Sequence, residues 1–322
     1  MGRLRLGVLG CSDFAWRRAI PALLKVPELE LAAVASRSRE KAEKFAASFG
    51  GDAVVGYDRL LERSDIDAVY IPLPPSMHEE WAVRAVEAGK HAFVEKPFAV
   101  SLAASQRMVE AARARGRLLM EDFAFRLLPR TAAALEAVGR GDIGEVRVLR
   151  AAFAFPTLAP GNIRYDRSLG GGALLDCGVY AVQASLLFLG AGLKVLAARL
   201  KTDPARGVDT AGEVMLESRS GAAAQLAFGF DHYYQCELVL WGSAGRLVLE
   251  RAFTPPPDSE TVTWFERQGR REEHRFPALN MYEGIFQRFA QTAASGKGFE
   301  DEYRRILDQA QAVESVMKGV VS

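Results

Sequence analysis

The strongest constraint on this chain lies in its first third, where short apolar runs alternate with segments of helical periodicity. Residues 4–9 form an apolar run that ends at Gly10, and residues 14–26 then carry Phe14, Ile20, Leu23 and Leu24 at helical spacing. A second apolar run covers 29–35, and a helix expected over 39–49 is closed by Gly50 and Gly51. The unit recurs with a strand at 68–71, a helix over 76–88 ended by Gly89, a strand at 91–94, a helix over 101–115 ended by Gly116 and a strand at 118–121. Strands this apolar cannot face water, so the pattern predicts a parallel sheet covered by helices on both faces.

After about residue 125 the rhythm changes. Strand candidates at 146–155, 194–202, 212–217, 222–230, 237–241, 246–251 and 261–266 are in part joined by short turns at 218–221 and 243–245. They predict a mostly antiparallel sheet, interrupted by a helix over 172–188 and followed by helices near 281–294 and 302–317. A chain of 322 residues exceeds what one hydrophobic core usually serves. The expected fold is therefore α/β, with an N-terminal Rossmann parallel sheet over residues 1–122 and a second, α+β domain over residues 123–322. The second domain is built on a large, mostly antiparallel open sheet. Alternating Leu226, Phe228 and Phe230 mark a face of that sheet that must be covered by helices or by another subunit.

Charge excludes some functions. The 41 Lys and Arg residues are offset by 40 Asp and Glu, which leaves no basic excess for a phosphate backbone, so no nucleic acid partner is expected. Cys11, Cys177 and Cys236 are odd in number and far apart, matching neither a disulfide framework nor a zinc site, as in a reducing cytoplasmic protein. The N-terminal apolar run is only a strand long and leads into folded structure rather than a cleavage site. No segment approaches the roughly 20 uninterrupted apolar residues of a membrane span, so no membrane partner is expected. His232 and His274 lack carboxylate or cysteine partners at metal-ligand spacing, and no metal is expected.

Between the first strand and helix stands Gly10-Cys11-Ser12-Asp13-Phe14-Ala15, a dinucleotide fingerprint with Ser12 at the middle glycine position. Gly10 permits the tight turn, small Ser12 lets the backbone approach a pyrophosphate, and Ala15 suits close packing of helix on strand. The helix N-terminus offers N–H groups to phosphate. The second strand ends at Ser36-Arg37, where an NAD-specific site would place a carboxylate. A hydroxyl and a guanidinium suit a 2′-phosphate, so NADP(H) is the expected cofactor. The alternative is that Ser36 caps the next helix and Arg37 is solvated.

Past the next strand comes Pro72-Leu73-Pro74-Pro75-Ser76-Met77-His78, and after the following one Glu95-Lys96-Pro97. The second domain adds Gly170-Gly171-Gly172-Ala173-Leu174-Leu175-Asp176-Cys177-Gly178-Val179-Tyr180. On these motifs the chain resembles the Gfo/Idh/MocA oxidoreductases. Tyr180 replaces the His of many relatives, as in two branches: the nucleotide-sugar 3-ketoreductases and the dihydrodiol dehydrogenases. Trp16-Arg17-Arg18, Asn162-Ile163-Arg164, Leu240-Trp241-Gly242-Ser243 and Arg251-Ala252-Phe253-Thr254-Pro255-Pro256 extend the likeness over almost the whole chain. The resemblance implies that Leu73, Pro74, His78, Glu95 and Lys96 lie near the nicotinamide, and that subunits pair through the second-domain sheet as a homodimer or homotetramer.

The chemistry follows from the residue types. Hydride arriving at a carbonyl carbon leaves an alkoxide that needs a proton. Tyr180 is the candidate acid; its phenol, ordinarily near pKa about 10, is brought nearer working pH by an ammonium, for which Lys96 is the candidate. Asp176 lies four residues earlier, so a helix puts both on one face and lets Asp176 orient a substrate hydroxyl. The structural alternatives are a surface lysine, a core tyrosine and a helix cap. Asn162, Arg164 and Tyr234 are candidates for a sugar or diphosphate; of the neighbours Tyr233 and Tyr234, strand alternation lets only one point into a given cleft. His78 either lines the cofactor edge or serves the structure, and His91 is structural. Three functions compete: an NADPH-dependent 3-ketoreductase of a nucleotide-linked keto-deoxysugar, with a dTDP-linked keto-sugar as the expected substrate; an NADP-dependent dehydrogenase of a cyclic trans-diol or free sugar; and a non-catalytic NADP-binding sensor.

Overall fold

The computed structural model describes residues 2–320, which form two compact units. Unit 1 comprises Met1–Ala124 and Tyr282–Leu307, and unit 2 comprises Phe125–Met281 and Asp308–Ser322. The expected single cut after residue 122 is therefore corrected, because a C-terminal segment returns to the first unit.

Unit 1 is a six-stranded parallel sheet of β1 (Leu4–Leu9), β2 (Leu29–Ser36), β3 (Asp52–Val55), β4 (Ala68–Ile71), β5 (His91–Val94) and β6 (Leu119–Glu121), in the order β3-β2-β1-β4-β5-β6. This is the Rossmann order. The connecting helices are α1 (Ile20–Leu23), α2 (Arg39–Phe49), α3 (Tyr57–Leu61), α4 (His78–Glu87) and α5 (Leu102–Arg115). Ser101 caps α5, its hydroxyl accepting from Ala104 N at 3.2 Å, and Gly116 closes the helix in the left-handed region. β3 and α3 escape the sequence reading because β3 is four residues long and largely exposed, with no buried run to mark it.

Unit 2 begins with α6 (Pro129–Gly139), also unforeseen, and its sheet contains β7 (Val146–Ala154), β8 (Lys194–Asp203), β9 (Val208–Glu217), β10 (Ala223–Gly229), β11 (Gln235–Gly242), β12 (Gly245–Glu250), β13 (Thr261–Arg267) and β14 (Arg270–Phe276). The order is β14-β13-β12-β11-β7-β10-β9-β8; only the central β7–β10 pair is parallel. β14 reads Arg-Arg-Glu-Glu-His-Arg-Phe and is exposed almost throughout, so its hydrogen bonds to β13 leave no apolar alternation in sequence. α7 (Val179–Leu189) crosses the inner face. Leu226, Phe228 and Phe230 are at most 3 % exposed. Phe228 lies under Gly178 at the foot of α7, and Phe230 stacks on Phe155 at 5.2 Å. Helix and loop thus cover that face, and no subunit is needed there.

Residues 167–189 are long and apolar enough to cross a membrane by length and composition, although Arg167, Asp176 and Gln183 interrupt the apolar run. The segment is 78 % buried over its most apolar window, and Val179 through Ser185 are all buried. An all-round apolar helix of this kind belongs to a core.

α8 (Met281–Ser295) and α9 (Phe299–Lys318) end the described chain. From α8, Tyr282, Phe286 and Phe289 share one face. Phe286 meets Tyr70 and Phe93 edge-on, with centroids 5.3 and 5.1 Å apart, and Phe289 packs on Phe93 at 5.3 Å. Tyr303 and Ile306 of α9 join the core beneath α4 and α5. These contacts bind 282–307 to the parallel sheet. Phe286→Ala is expected to lower the unfolding free energy by about 3–5 kcal/mol in a denaturant titration, although Phe286 lies 160 residues or more beyond the last strand of that sheet.

Candidate active site

The carboxyl end of β1 carries the first part of the site. Gly10 has φ +124°, a conformation that a side chain strains, and a Cβ there would stand 2.8 Å from Leu73 Cδ2, so the leucine side chain would also have to shift. Ser12 is more than a small substitute for glycine. Its hydroxyl accepts from Ala15 N at 3.0 Å and its carbonyl from Trp16 N at 3.0 Å, which starts a π-helical turn, Ala15–Ala19, that continues as α1. Asp13 pairs with Arg17, and the Phe14 ring meets Tyr282 edge-on at 5.2 Å, so both side chains serve packing or surface charge. The Cys11 thiol contacts Lys41 O at 3.7 Å, and burial pushes its pKa up to about 11.

At the end of β2, the helix cap is Ser38, whose hydroxyl accepts from Lys41 N; Ser36 is not the cap. Ser36 is buried and its hydroxyl accepts from Ser38 N at 3.1 Å, which turns the chain towards α2. Arg37 is exposed and its guanidinium bonds the Tyr57 hydroxyl. No carboxylate ends this strand. The donor set fits a dinucleotide carrying a 2′-phosphate: a glycine turn, helix-start N–H groups, a serine and an exposed guanidinium.

The ends of β4 and β5 are tied together by His78. The ring is wholly buried, with Nε2 2.8 Å from Leu73 O and Nδ1 2.9 Å from Pro97 O. A charged ring would donate to both carbonyls and a neutral ring to one; burial lowers its pKa and favours the neutral ring. His78 therefore does not line the cofactor edge but fixes the Leu73-Pro74 loop to the Lys96–Pro97 loop, whose peptide bond is cis. Glu95 also turns inward, its carboxylate accepting from the Tyr70 hydroxyl. Lys96 is partly exposed and lies close enough to hold the Glu95 pKa down.

In unit 2, Gly172 has φ +126°, and a Cβ there would fall 2.4 Å from Asp209 Oδ1. Asp209 accepts from Leu174 N at 2.6 Å and so caps the helix start. That cap, unmarked in the sequence because it comes from β9, leaves Asp176 for another partner. Leu174–Gly178 is again a π-helical turn, leading into α7. Asp176 Oδ2 accepts from Arg164 Nε at 2.7 Å, and Arg164 also faces Tyr180. Tyr180 is 8 % exposed among Phe153, Phe253 and Phe125, at centroid distances of 5.2, 5.7 and 6.0 Å.

The other candidates fare differently. Asn162 spends its Oδ1 on Arg164 N at 3.1 Å, ending a loop rather than reaching outward. Tyr234 lies under Arg251 at 5.1 Å and Tyr233 is 91 % exposed; both precede β11 rather than lying in a strand, so the alternation expected of them does not apply. Tyr70, Asp122 and Asp209 are the polar groups that sequence reading missed. Each sits in or beside a strand whose neighbours become known only with the sheet register. Among the described residues, no group of three or more His, Cys, Asp or Glu gathers at metal-binding distance.

A Rossmann unit with this glycine turn, joined to a unit presenting a buried tyrosine beside an ion pair, defines a dinucleotide-dependent oxidoreductase. The family model described as an oxidoreductase family with an NAD-binding Rossmann fold matches residues 4–123, and that of the Gfo/Idh/MocA C-terminal domain matches 131–248. The chain belongs to the Gfo/Idh/MocA family. It is 44 % identical over 319 residues, 97 % of this chain and 96 % of the relative, to a dTDP-3,4-didehydro-2,6-dideoxy-alpha-D-glucose 3-reductase of Saccharopolyspora spinosa. A protein of the same name from Actinomadura kijaniata is 43 % identical over 98 % of this chain and 95 % of its own. The crystal structure of a 3-ketoreductase from Actinomadura kijaniata, in complex with NADP and TDP-benzene, superposes with a TM-score of 0.96 at 43 % identity, covering 99 % of this chain and 98 % of that one.

The buried imidazoles set an acid limit on stability. Burial lowers the pKa of His78 from 6.5, and burial with the Arg117 charge lowers that of His91 to about 4. The unfolded chain takes up these protons first, so their contribution is present above 6.5 and is lost as pH falls towards the folded values. His78→Ala is expected to lower stability at pH 7 by about 2–4 kcal/mol, through a stranded carbonyl and a cavity, and to flatten the decline measured between pH 6.5 and 5 by denaturant titration.

Proposed function

We propose that this chain is an NADPH-dependent ketoreductase that reduces the C3 ketone of a nucleotide-linked 3-keto-deoxysugar, with a dTDP-linked sugar as substrate. The observation that carries the reading is Tyr180, a phenol held in an aromatic pocket beside the Arg164–Asp176 pair. The 44 % identity to a dTDP-sugar 3-reductase over nearly the full length supports the substrate class.

Gly10, Cys11, Ser12 and the first turn of the following helix would hold the pyrophosphate by backbone N–H groups, and Ser36 with Arg37 the 2′-phosphate. NADPH, when bound, supplies the hydride. Tyr180 gives the ketone oxygen its proton as the C–O bond becomes an alcohol, and the phenol is later reprotonated from solvent. An ammonium near that phenol would favour the phenolate left behind, the role proposed for Lys96. Asp176, held by Arg164, accepts from a sugar hydroxyl and fixes the ring. Arg164 keeps further N–H donors for a diphosphate oxygen.

We place the enzyme in the cytoplasm, in keeping with three cysteines that form no disulfide. We also propose a homodimer or homotetramer formed through the outer face of the large sheet, where Arg150, Glu213, Met215 and Gln225 line an open groove and Trp241 is 48 % exposed. Sedimentation analysis is expected to show an even-numbered assembly, which Trp241→Glu together with Met215→Glu weakens; a monomer in the wild type would refute it.

Tyr180→Phe is expected to lower kcat by about 10²–10⁴-fold while NADPH affinity stays within about threefold. Calorimetry with dTDP in the presence of NADP+ should show saturable binding. Retained turnover in Tyr180→Phe would remove the proposed acid, and absence of dTDP binding would turn the reading towards a sugar or diol without a nucleotide.

A further inference from the structure

Tyr70, Glu95 and Asp122 have no part in the chemistry above, yet the sheet register gathers them. Tyr70 pairs with Phe93, and Phe93 with Met120. Glu95 and Asp122, each two residues further on, leave the sheet on that same face. The backbone is still held there, Glu95 N–H donating to Ile71 O at 3.3 Å and Asp122 N–H to Val94 O at 3.0 Å. α8 covers this face with Phe286 and, one turn earlier, Tyr282.

Within this enclosure the Tyr70 hydroxyl donates to Glu95 Oε1, and the Asp122 carboxyl group lies on the same face, close enough for the Glu95 charge to act on it. Two carboxylates cannot share a hydrogen bond unless one of them carries a proton. Asp122 is 4 % exposed, and its Oδ1 meets no donor, a costly position for a carboxylate oxygen but not for a carboxylic acid. Burial and the Glu95 charge both raise the Asp122 pKa well above the usual carboxylate range. Glu95 is raised by burial but held down by the Tyr70 hydroxyl, the Lys96 charge, Asp122 and the Lys96 N–H. The titratable and charged groups facing the pair are Tyr70 from β4, Lys96 beyond β5, and Tyr282 from α8, with Arg18 beside Tyr282. Glu121, next to Asp122, leaves on the opposite face and accepts from Phe98 N at 2.9 Å.

We propose that Asp122 stays protonated in the working enzyme and donates to Glu95, so that the pair carries one negative charge, which helps to position the Lys96 ammonium. Asp122 and Glu95 are then positioning residues. Loss of the Asp122 proton at alkaline pH would set two negative charges beside one ammonium and draw it away from its working place. The function of the pair rests on the role given to Lys96; the proton on Asp122 does not.

Infrared difference spectra test the proton directly. Wild-type enzyme with NADP+ at pH 7 should show the carbonyl stretch of a buried carboxylic acid, and Asp122→Asn should lack it; absence of that band from the wild type overturns the proposal whatever the turnover. Asp122→Asn keeps an N–H donor towards Glu95 but cannot ionise. It should hold kcat within about threefold at pH 7 and carry activity about one pH unit further into the alkaline range. A pH profile superimposable on that of the wild type overturns the positioning role. Glu95→Gln should lower kcat by about tenfold with little change in the KM for NADPH, and an unchanged kcat counts against it. Stability guards against misfolding: an acid whose folded pKa is raised loses its contribution as pH climbs past the unfolded value, so Asp122→Asn should exceed the wild type in Tm by more at pH 8 than at pH 5. Turnover surviving in Lys96→Ala would overturn the reading of Lys96 and with it the counter-ion role, while the infrared band would still stand.

Discussion

The reversal of strand order at β1 is the constraint on which the rest of unit 1 depends. β1 lies between β2 and β4, so the chain leaves it towards one face of the sheet and leaves β4 towards the other, opening a crevice outside the carboxyl ends of the strands. The two loops must still meet at the base of that crevice. They do so at Gly10, whose φ of +124° favours glycine and where the absence of a side chain lets Leu73 approach closely. His78 then fixes the Leu73 carbonyl to the loop holding Pro97, so three of the loops that shape the crevice are located by one glycine and one imidazole.

Polar groups at both candidate sites divide into those that hold the backbone and those that remain for chemistry, and the first kind makes the second possible. Ser12 and Ser38 cap helices and Ser36 turns the strand end, so the exposed Arg37 guanidinium is not needed to hold the backbone there. In unit 2, Asp209 does the capping that Asp176 would otherwise perform. Asp176 can then pair with Arg164, and Tyr180 follows on the same side. Both segments contain a π-helical turn directly after a glycine turn. Such a turn widens the spacing of side chains, a departure from regular helix found often at functional sites.

Much of this was legible in sequence because it depends on short-range pattern. The apolar runs ending at Gly10, Ile71 and Val94 are buried parallel strands, and the motifs that follow them lie at strand ends where a ligand crevice forms. What was illegible depends on register or on distant chain. β14 carries almost no apolar residue and exists through its pairing with β13. Residues 282–307 look like ordinary amphipathic helix, and nothing local says which sheet their aromatic face will cover. His78, Glu95 and Asn162 were rightly singled out as polar residues in significant places, but sequence cannot show that their polar atoms turn inward to the backbone or to a neighbouring strand. The same limit hid Asp122 and Asp209, whose partners come from β5 and from the start of the helix before α7.

The two units handle buried charge by different means, each suited to its place in the reaction. In unit 2 the Arg164–Asp176 pair is partly open to solvent, with the guanidinium side chain 39 % exposed, so water can solvate the pair without leaving either ion alone. In unit 1 Tyr70 and Asp122 are buried, Glu95 is half-buried beside them, and Lys96 supplies a cation that acts on the carboxyl pair. A second ionised carboxylate there would lack any compensating charge, and the enclosure therefore retains a proton instead. An open ion pair can exchange partners as substrate comes and goes, whereas an enclosed carboxyl pair keeps one net charge fixed. A single fixed charge leaves an ammonium next to it one position to hold, whereas two ionised carboxylates would offer it a choice.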